Sequence, residues 1–273
     1  MSKVRLDTLL VEQGHFDSRE KAKRSIMAGL VFHKHERLDK PGLKIDPSIE
    51  VTVKGKAIPY VSRGGLKLEK ALKNFDVSVK DKLIIDIGSS TGGFTDCSLQ
   101  KGASEVYAVD VGYNQLDWKL RNDHRVHVME RTNFRYVTPE DLKFGVPEFA
   151  VTDVSFISLK LIFPVLKNLL KPKSDVIALI KPQFEAGREQ VGKKGIVRDS
   201  KVHLQVVSKI TQFVFNEGYD IINLDYSPIT GGDGNIEFLL HAKWPEGEAT
   251  NHIDEGKIQE VIEQAHNEFQ KKK

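Results

Sequence analysis

Leu83-Ile84-Ile85-Asp86-Ile87-Gly88-Ser89-Ser90-Thr91-Gly92-Gly93-Phe94 is the stretch whose reading decides the fold. A short apolar run ending in glycines and followed by a helical pattern reads as a buried strand, a tight turn and a helix. Further strand-like runs lie at 106–110, 126–129, 149–152, 176–180, 221–226 and 236–241, with helical stretches in most of the gaps. Strands alternating with helices predict a doubly wound α/β sheet with its ligand site at the carboxyl edge. Only a short connection, holding Gly231-Gly232-Asp233-Gly234, separates the last two runs, so the seventh strand is expected to return antiparallel. Residues 253–270 read as a terminal helix packing through Ile258, Val261, Ile262 and Phe269, and Lys271-Lys272-Lys273 as a frayed end.

The loop's chemistry narrows the ligand. Gly88-Ser-Ser-Thr-Gly92-Gly93 is not the G-x-G-x-x-G of dinucleotide sites, and it lacks the Lys-Ser/Thr that a P-loop uses for phosphates and magnesium. Asp86, just before the first glycine, suits an amino group better than a phosphate. Asp110, ending the second strand, is placed for ribose hydroxyls. Two carboxylates at neighbouring strand ends fit a cationic, phosphate-free nucleoside.

Upstream, two short helices are expected: 5–13, with Leu6, Leu9 and Leu10 on one face, and a second from Ser18 as N-cap to Ala28 before Gly29. The second carries Arg19, Lys21, Lys23 and Arg24 outward and Ala22 and Ile26 inward. Strand-like pieces at 30–32 and 49–53 flank the turn Lys40-Pro41-Gly42. The chain is thus divided into a small α/β module (1–54), a linker (55–62), a main domain (63–245) and a helical tail (246–273). Residues 1–62 hold 12 Lys+Arg against 8 Asp+Glu, whereas the rest holds 29 against 30. The basic excess is confined to the first module, which suits a polyanionic partner. One cysteine, Cys97, excludes a disulfide framework and a multi-cysteine metal site, and its place in the helix after the glycine loop assigns it to packing. His33, His35, His124, His127 and His203, five of the nine histidines, form no metal-ligand spacing, so no metal is expected. With no leader-like or spanning apolar run, a cytoplasmic protein off the membrane is expected.

Several ordered motifs then identify the chain as resembling the TlyA family of ribosomal RNA 2′-O-methyltransferases, also called haemolysin A. They are Arg5-Leu-Asp-x-Leu-Leu-Val-Glu-x-Gly14 with Ser18-Arg19-x-x-Ala22-x-x-x-Ile26-x-x-Gly29, Ser62-Arg63-Gly64-Gly65-x-Lys67-Leu68, the loop from Asp86 to Asp96, Thr132-Asn133-x-Arg135, Asp153-Val-Ser-Phe156-Ile, Ile180-Lys181-Pro-Gln-Phe184-Glu and Ile236-Glu237-Phe238. Where relatives often carry Asn-Gly in the first domain's hairpin, this chain has His33-Lys34-His35. The resemblance implies a Rossmann-like seven-stranded methyltransferase sheet behind an RNA-binding domain of the ribosomal-protein S-four type. It implies S-adenosylmethionine as cofactor, held by Asp86, Gly88, Ser89, Ser90, Thr91, Gly92, Gly93, Asp110, Val111, Asn133 and Asp153, and ribosomal RNA as partner, with cytidine as target. Its FtsJ-type Lys-Asp-Lys-Glu tetrad maps onto Lys67, Asp153, Lys181 and Glu237.

That chemistry asks for these residue types. A ribose hydroxyl is a poor nucleophile, so its proton must be removed or its developing oxyanion stabilised. Lys181 is assigned to that role and Lys67 to orienting the hydroxyl. A cationic neighbour depresses a lysine pKa, whereas Asp153 and Glu237 oppose the depression. Arg5, Arg19, Lys21, Lys23, Arg24 and Lys40 are the expected phosphate contacts, continued by Arg63, Arg131 and Arg135, and the basic loop 187–198 is expected to be flexible and to order on RNA. Two other readings compete: a cytolysin, which lacks a spanning or strongly amphipathic segment, and a non-catalytic RNA-binding assembly factor, which would not need a complete tetrad.

Overall fold

The computed structural model describes residues 3–27, 29–34, 36–54, 58–231 and 234–270. The expected helix end at Ala28, the turn residue His35, residues 55–57 of the linker, Gly232 and Asp233 of the glycine connection and the frayed end at 271–273 lie outside the described residues. The chain divides into two compact units, Met1–Gly64 and Gly65–Lys273.

In the first unit β1 (Val4–Arg5) leads into α1 (Leu6–Glu12), followed by α2 (Arg19–Met27), β2 (Val31–His33), β3 (Glu36–Arg37), β4 (Lys44–Ile45) and β5 (Thr52–Val53). Ser18 caps α2 through the Lys21 amide at 3.3 Å. Leu6, Leu9 and Leu10 of α1 close on Ala22 and Ile26 of α2 and on Val31, Leu38 and Val51, all buried. Arg5, expected to open the first helix, instead pairs in β1 with Lys44 of β4. Residues 49–51, expected as strand, precede a two-residue β5, whose ladder with β2 spans only Val31–Val53 and Phe32–Thr52. Lys34 turns the β2–β3 hairpin with φ +55°, the left-handed conformation that Asn-Gly adopts most readily.

The second unit opens with α3 (Gly64–Asn74) and continues β6 (Leu83–Ile87), α4 (Gly93–Gln100), β7 (Glu105–Val109), α5 (Trp118–Arg121), β8 (Val126–Met129), β9 (Phe149–Thr152), α6 (Phe163–Leu166), β10 (Asp175–Ile180), α7 (Pro182–Glu185), α8 (Ser200–Asn216), β11 (Asp220–Tyr226), β12 (Phe238–Lys243) and α9 (Glu255–Gln270). The sheet order is β11-β12-β10-β9-β6-β7-β8, and β12 is antiparallel to both neighbours, as the short connection requires. β12 begins two residues later than expected, so Glu237 lies just before the strand. Its carbonyl still accepts from the Ser227 amide at 2.8 Å.

Alternation along β6 sorts its side chains. Ile85 and Ile87 join a core built with α6, α8 and α9, while Asp86 faces the other way, where Thr95 of α4 meets it. Ile258, Val261, Ile262 and Ala265 of α9 are buried in that same core, so the segment expected as a tail is part of the unit. The carboxyl-terminal end of the basic loop makes defined contacts. Gly192 bridges Ile196, the buried Val197 donates its amide to Asn235 Oδ1 at 3.0 Å, and Asn235 Nδ2 donates to the Gly195 carbonyl.

Candidate active site

After β6 the chain moves outward through β7 and β8, then crosses back to build β9 on the other side of β6. Neighbouring loops therefore diverge beyond β6 and open a crevice at the carboxyl edge. A cavity of about 290 Å³ occupies it, walled by Ile87, Val109, Phe134 and Ile162, with Gly88, Ser90, Asp110, Val111, Asn133, Asp153 and Ser155 among the remaining lining residues. Gly88 has φ +82°, and a Cβ there would lie 3.1 Å from the Asp153 carbonyl oxygen. Only glycine combines that conformation with so close an approach of the loop to the β9 end. Asp110 accepts from the Ser90 amide through Oδ2 and from the Gly112 amide through Oδ1, both at 2.7 Å. The glycine turn and the second carboxylate are thereby locked together.

Asp86, Ser89, Thr91, Gly92 and Gly93 do not line the cavity. Gly92 takes φ +94° at the start of α4 and packs against Leu116 and Leu120. Asp86 is fully buried, its Oδ2 accepting from Thr95 Oγ1 at 2.6 Å and its Oδ1 having no partner among the described residues. Burial pushes this carboxyl up to about 7, against the pull of the Thr95 hydrogen bond and helped by the nearby Asp153 and Asp110 charges. An apolar crevice edged by the Asp110 carboxylate, with no phosphate-binding lysine in its glycine loop and with the half-satisfied, buried Asp86 at the end of the strand leading into that loop, fits S-adenosylmethionine.

Beside the cavity the four tetrad residues come together from four separate elements. Lys67 of α3 places Nζ 2.7 Å from Glu237 Oε2 and 3.4 Å from Asp153 Oδ2. Lys181, directly after β10, places Nζ 2.6 Å from Asp153 Oδ1. Lys67, Lys181 and Glu237 are buried. Burial lowers the Lys67 pKa, but Asp153 and Glu237 outweigh it and hold the pKa above the ordinary lysine value. Burial likewise raises Asp153, and the two ammonium groups overcome it to leave the carboxyl below its usual range. The opposition between carboxylates and cations is thus decided, at Lys67, for the charged ammonium.

Three further side chains join the cluster without any sequence signal beyond their positions inside quoted motifs. Ser155 Oγ accepts from Lys181 Nζ at 2.8 Å, Gln183 Nε2 donates to Glu237 Oε1 at 3.3 Å, and Phe184 lies 5.8 Å from Lys181 Nζ. Gly231 backs onto Glu237, where a Cβ would collide with the carboxylate.

The expected RNA contacts are differently disposed. Arg5 and Arg19 both grip the buried Asp7, at 2.9 and 3.1 Å, yet each keeps about half its side chain exposed. Lys21 pairs with Asp17 and Lys23 with Glu20. Lys40 is exposed, and Arg24 and Arg63 are half-buried. In the second unit Arg131 stacks on Tyr113 at 4.1 Å and Arg135 lies over Tyr136 at 5.3 Å, both rings being exposed. Among the described residues no helix is long and apolar enough to cross a membrane, and His, Cys, Asp and Glu form no metal-binding group.

Comparison with known proteins matches residues 60–244 to the FtsJ-like methyltransferase family. YqxC of Bacillus subtilis, described as a candidate rRNA methyltransferase, is 65% identical over 272 residues, 99% of this chain and 97% of its own. TlyA of Mycobacterium tuberculosis, named a 16S/23S rRNA (cytidine-2′-O)-methyltransferase, is 39% identical over 239 residues, covering 87% of this chain and 89% of its own. A solved structure from Streptococcus thermophilus, described as a candidate hemolysin, superposes with a TM-score of 0.81 at 55% identity, covering 100% of this chain and 98% of that one.

Proposed function

This chain belongs to the FtsJ-like methyltransferase family, and from that premise we propose that it methylates the 2′-hydroxyl of a cytidine ribose in ribosomal RNA, using S-adenosylmethionine. The observation that carries this reading is the buried Lys67–Asp153–Lys181–Glu237 cluster beside the crevice. When bound, the cofactor supplies an electrophilic methyl group on a sulfonium centre. Gly88, Ser90, Asp110, Val111 and Asn133 would hold it, Asp110 through the ribose hydroxyls.

The chain's own residues do the rest. Lys67, fixed between two carboxylates, keeps its proton and orients the incoming hydroxyl by donating to it. Lys181 shares only Asp153 and takes the hydroxyl proton or stabilises the oxyanion that develops there. Asp153 aligns both ammonium groups, and Glu237 fixes the first. In the amino-terminal unit Arg5, Arg19, Lys21, Lys23, Arg24 and Lys40 would bind phosphates, which positions an RNA without reading its sequence. Arg63, Arg131 and Arg135 would add further phosphate contacts.

The experiment is to incubate each purified ribosomal subunit with the protein and labelled cofactor, then map 2′-O-methyl positions. Label on a cytidine ribose is expected. No incorporation into either subunit, or label on a base, would overturn the reading.

A further inference from the structure

Two loops meet at Lys181. The segment after β9, Asp153 to Leu159, and the turn after β10, Lys181 to Glu185, are stitched together by Glu185, which accepts from Ser158 Oγ at 2.5 Å and from the Leu159 amide at 2.7 Å. Phe156 and Phe184 meet across the same junction with centroids 4.8 Å apart and their rings tilted by 49°. Phe156 has φ +62°, a conformation that costs a non-glycine residue of order 1–3 kcal/mol and survives only where its surroundings enforce it. What this bent segment delivers is Ser155, an exposed hydroxyl at the cavity wall whose Oγ receives the buried Lys181 ammonium at 2.8 Å.

The two lysines of the cluster are held unequally. Lys67 lies between two carboxylates, Glu237 and Asp153. Lys181 has one carboxylate, which it shares, and on its other side a neutral oxygen. An ammonium has three N–H donors. Lys181 donates one to Ser155 and makes an ion pair with Asp153 Oδ1 at 2.6 Å, which leaves one position on Nζ for a substrate oxygen. We propose that Ser155 is a positioning residue for methyl transfer, fixing Lys181 Nζ so that its lone pair, once the ammonium proton is lost, faces the substrate hydroxyl, without adding a negative charge that would hold that proton. This rests on the reading of Lys181 as the group that handles the hydroxyl proton. Asp153 after β9 is the charged group in contact with Lys181; Asp153 also carries Lys67 of α3, which Glu237 before β12 holds in turn, and feels the buried Asp86 of β6. Ser155 is the uncharged contact of Lys181.

The test is single-turnover methylation of the ribosomal subunit that the wild-type protein labels, at saturating cofactor across pH 6 to 10, with cofactor affinity measured by calorimetry. Ser155→Ala is expected to slow the plateau rate at least about tenfold with cofactor affinity within about twofold of wild type. Ser155→Thr, which keeps the oxygen, should restore most of the rate. Ser155→Asp should move the rise of the pH–rate profile upward by about one pH unit. If Ser155→Ala weakens cofactor binding while the saturated rate holds, Ser155 is a cofactor contact and the proposal fails. A Ser155→Asp profile that rises at the wild-type pH also overturns it. Failure of the wild-type protein to label either subunit is a different outcome, which sinks the proposed substrate instead.

Discussion

Replacing Asp86 by asparagine is expected to make the protein relatively more stable at pH 8 than at pH 5. The carboxyl is fully buried, with one oxygen satisfied by Thr95 and the other unpartnered among the described residues. Burial, the largest influence, raises it from 3.8 to about 7. A folded-state pKa above the unfolded one means the native protein keeps a proton that the unfolded chain has already released. The group therefore costs nothing below pH 3.8, and stability is lost as pH rises through 7. Between pH 5 and pH 7 lie about two units at ~1.4 kcal/mol each, so wild type should lose roughly 3 kcal/mol that the neutral amide does not. An amide nitrogen left unpaired at the orphan position would cost about 1–3 kcal/mol. That offset is the same at both pH values and cancels in the comparison. Urea unfolding of both proteins at pH 5 and pH 8 measures the difference, which corresponds to roughly 6–12 °C in Tm for a unit of this size. Parallel changes within about 0.5 kcal/mol would refute the assignment. If Asp86 also meets the cofactor's ammonium, wild type releases a proton on binding near pH 6, visible as a buffer-dependent calorimetric enthalpy that the variant lacks.

Asp153→Asn should destabilise the protein by about 3–5 kcal/mol at pH 7 and abolish methylation, because it strands two buried ammonium groups with one carboxylate. The folded carboxyl titrates below its unfolded value, so its contribution is present above about pH 4 and lost as pH falls further. The urea midpoints of variant and wild type should converge in acid, and a constant gap would count against the pairing. Gly88→Ala is expected to cost about 1–3 kcal/mol and at least about tenfold in cofactor affinity, since a methyl group at φ +82° meets the Asp153 backbone. Calorimetry giving wild-type affinity would exclude that close approach. Asp7→Asn should weaken binding of a ribosomal RNA fragment by about tenfold in filter assays, because one buried carboxylate aligns both Arg5 and Arg19. Unchanged affinity would make Asp7 purely structural.

How much of this was legible depended on whether the determinant was local. The central strands announced themselves, because strands buried on both faces must be continuously apolar, and all seven observed strands have limits within two residues of the expected ones. The two-residue strands β1, β3 and β4 carry no periodicity, since two residues cannot display one. The tetrad was named through resemblance, and the strand pattern added only that Asp153, Lys181 and Glu237 sit at strand ends on one sheet edge: Lys67 and Glu237 are 170 positions apart, and nothing near either says that they touch. Ser155 and Gln183 sat inside quoted motifs unnoticed, because their use depends on the left-handed turn at Phe156 and on two loops meeting. The contacts that hold the end of the basic loop were hidden for a related reason. Its charges suggest freedom, while the residue that anchors it, Asn235, lies 38 positions beyond Val197.

Charge bookkeeping across the site ties these observations together. Lys67 and Lys181 are balanced by Asp153 and Glu237, so the tetrad is neutral as it stands. Asp86 is a third carboxyl near Asp153, and burial, with no cation of the chain paired to it among the described residues to oppose it, lifts it to about 7. A chain selected for stability alone would put an asparagine or an apolar residue there. Retaining a carboxyl at that cost makes sense if the missing positive charge arrives with the ligand. S-adenosylmethionine carries two positive centres, an ammonium and a sulfonium, and transfer of the methyl group removes the second. The product is then held by one attraction fewer than the substrate, which favours its release. On this argument Asp86→Asn should narrow the gap in affinity between cofactor and demethylated product, and equal losses for the two ligands would refute it.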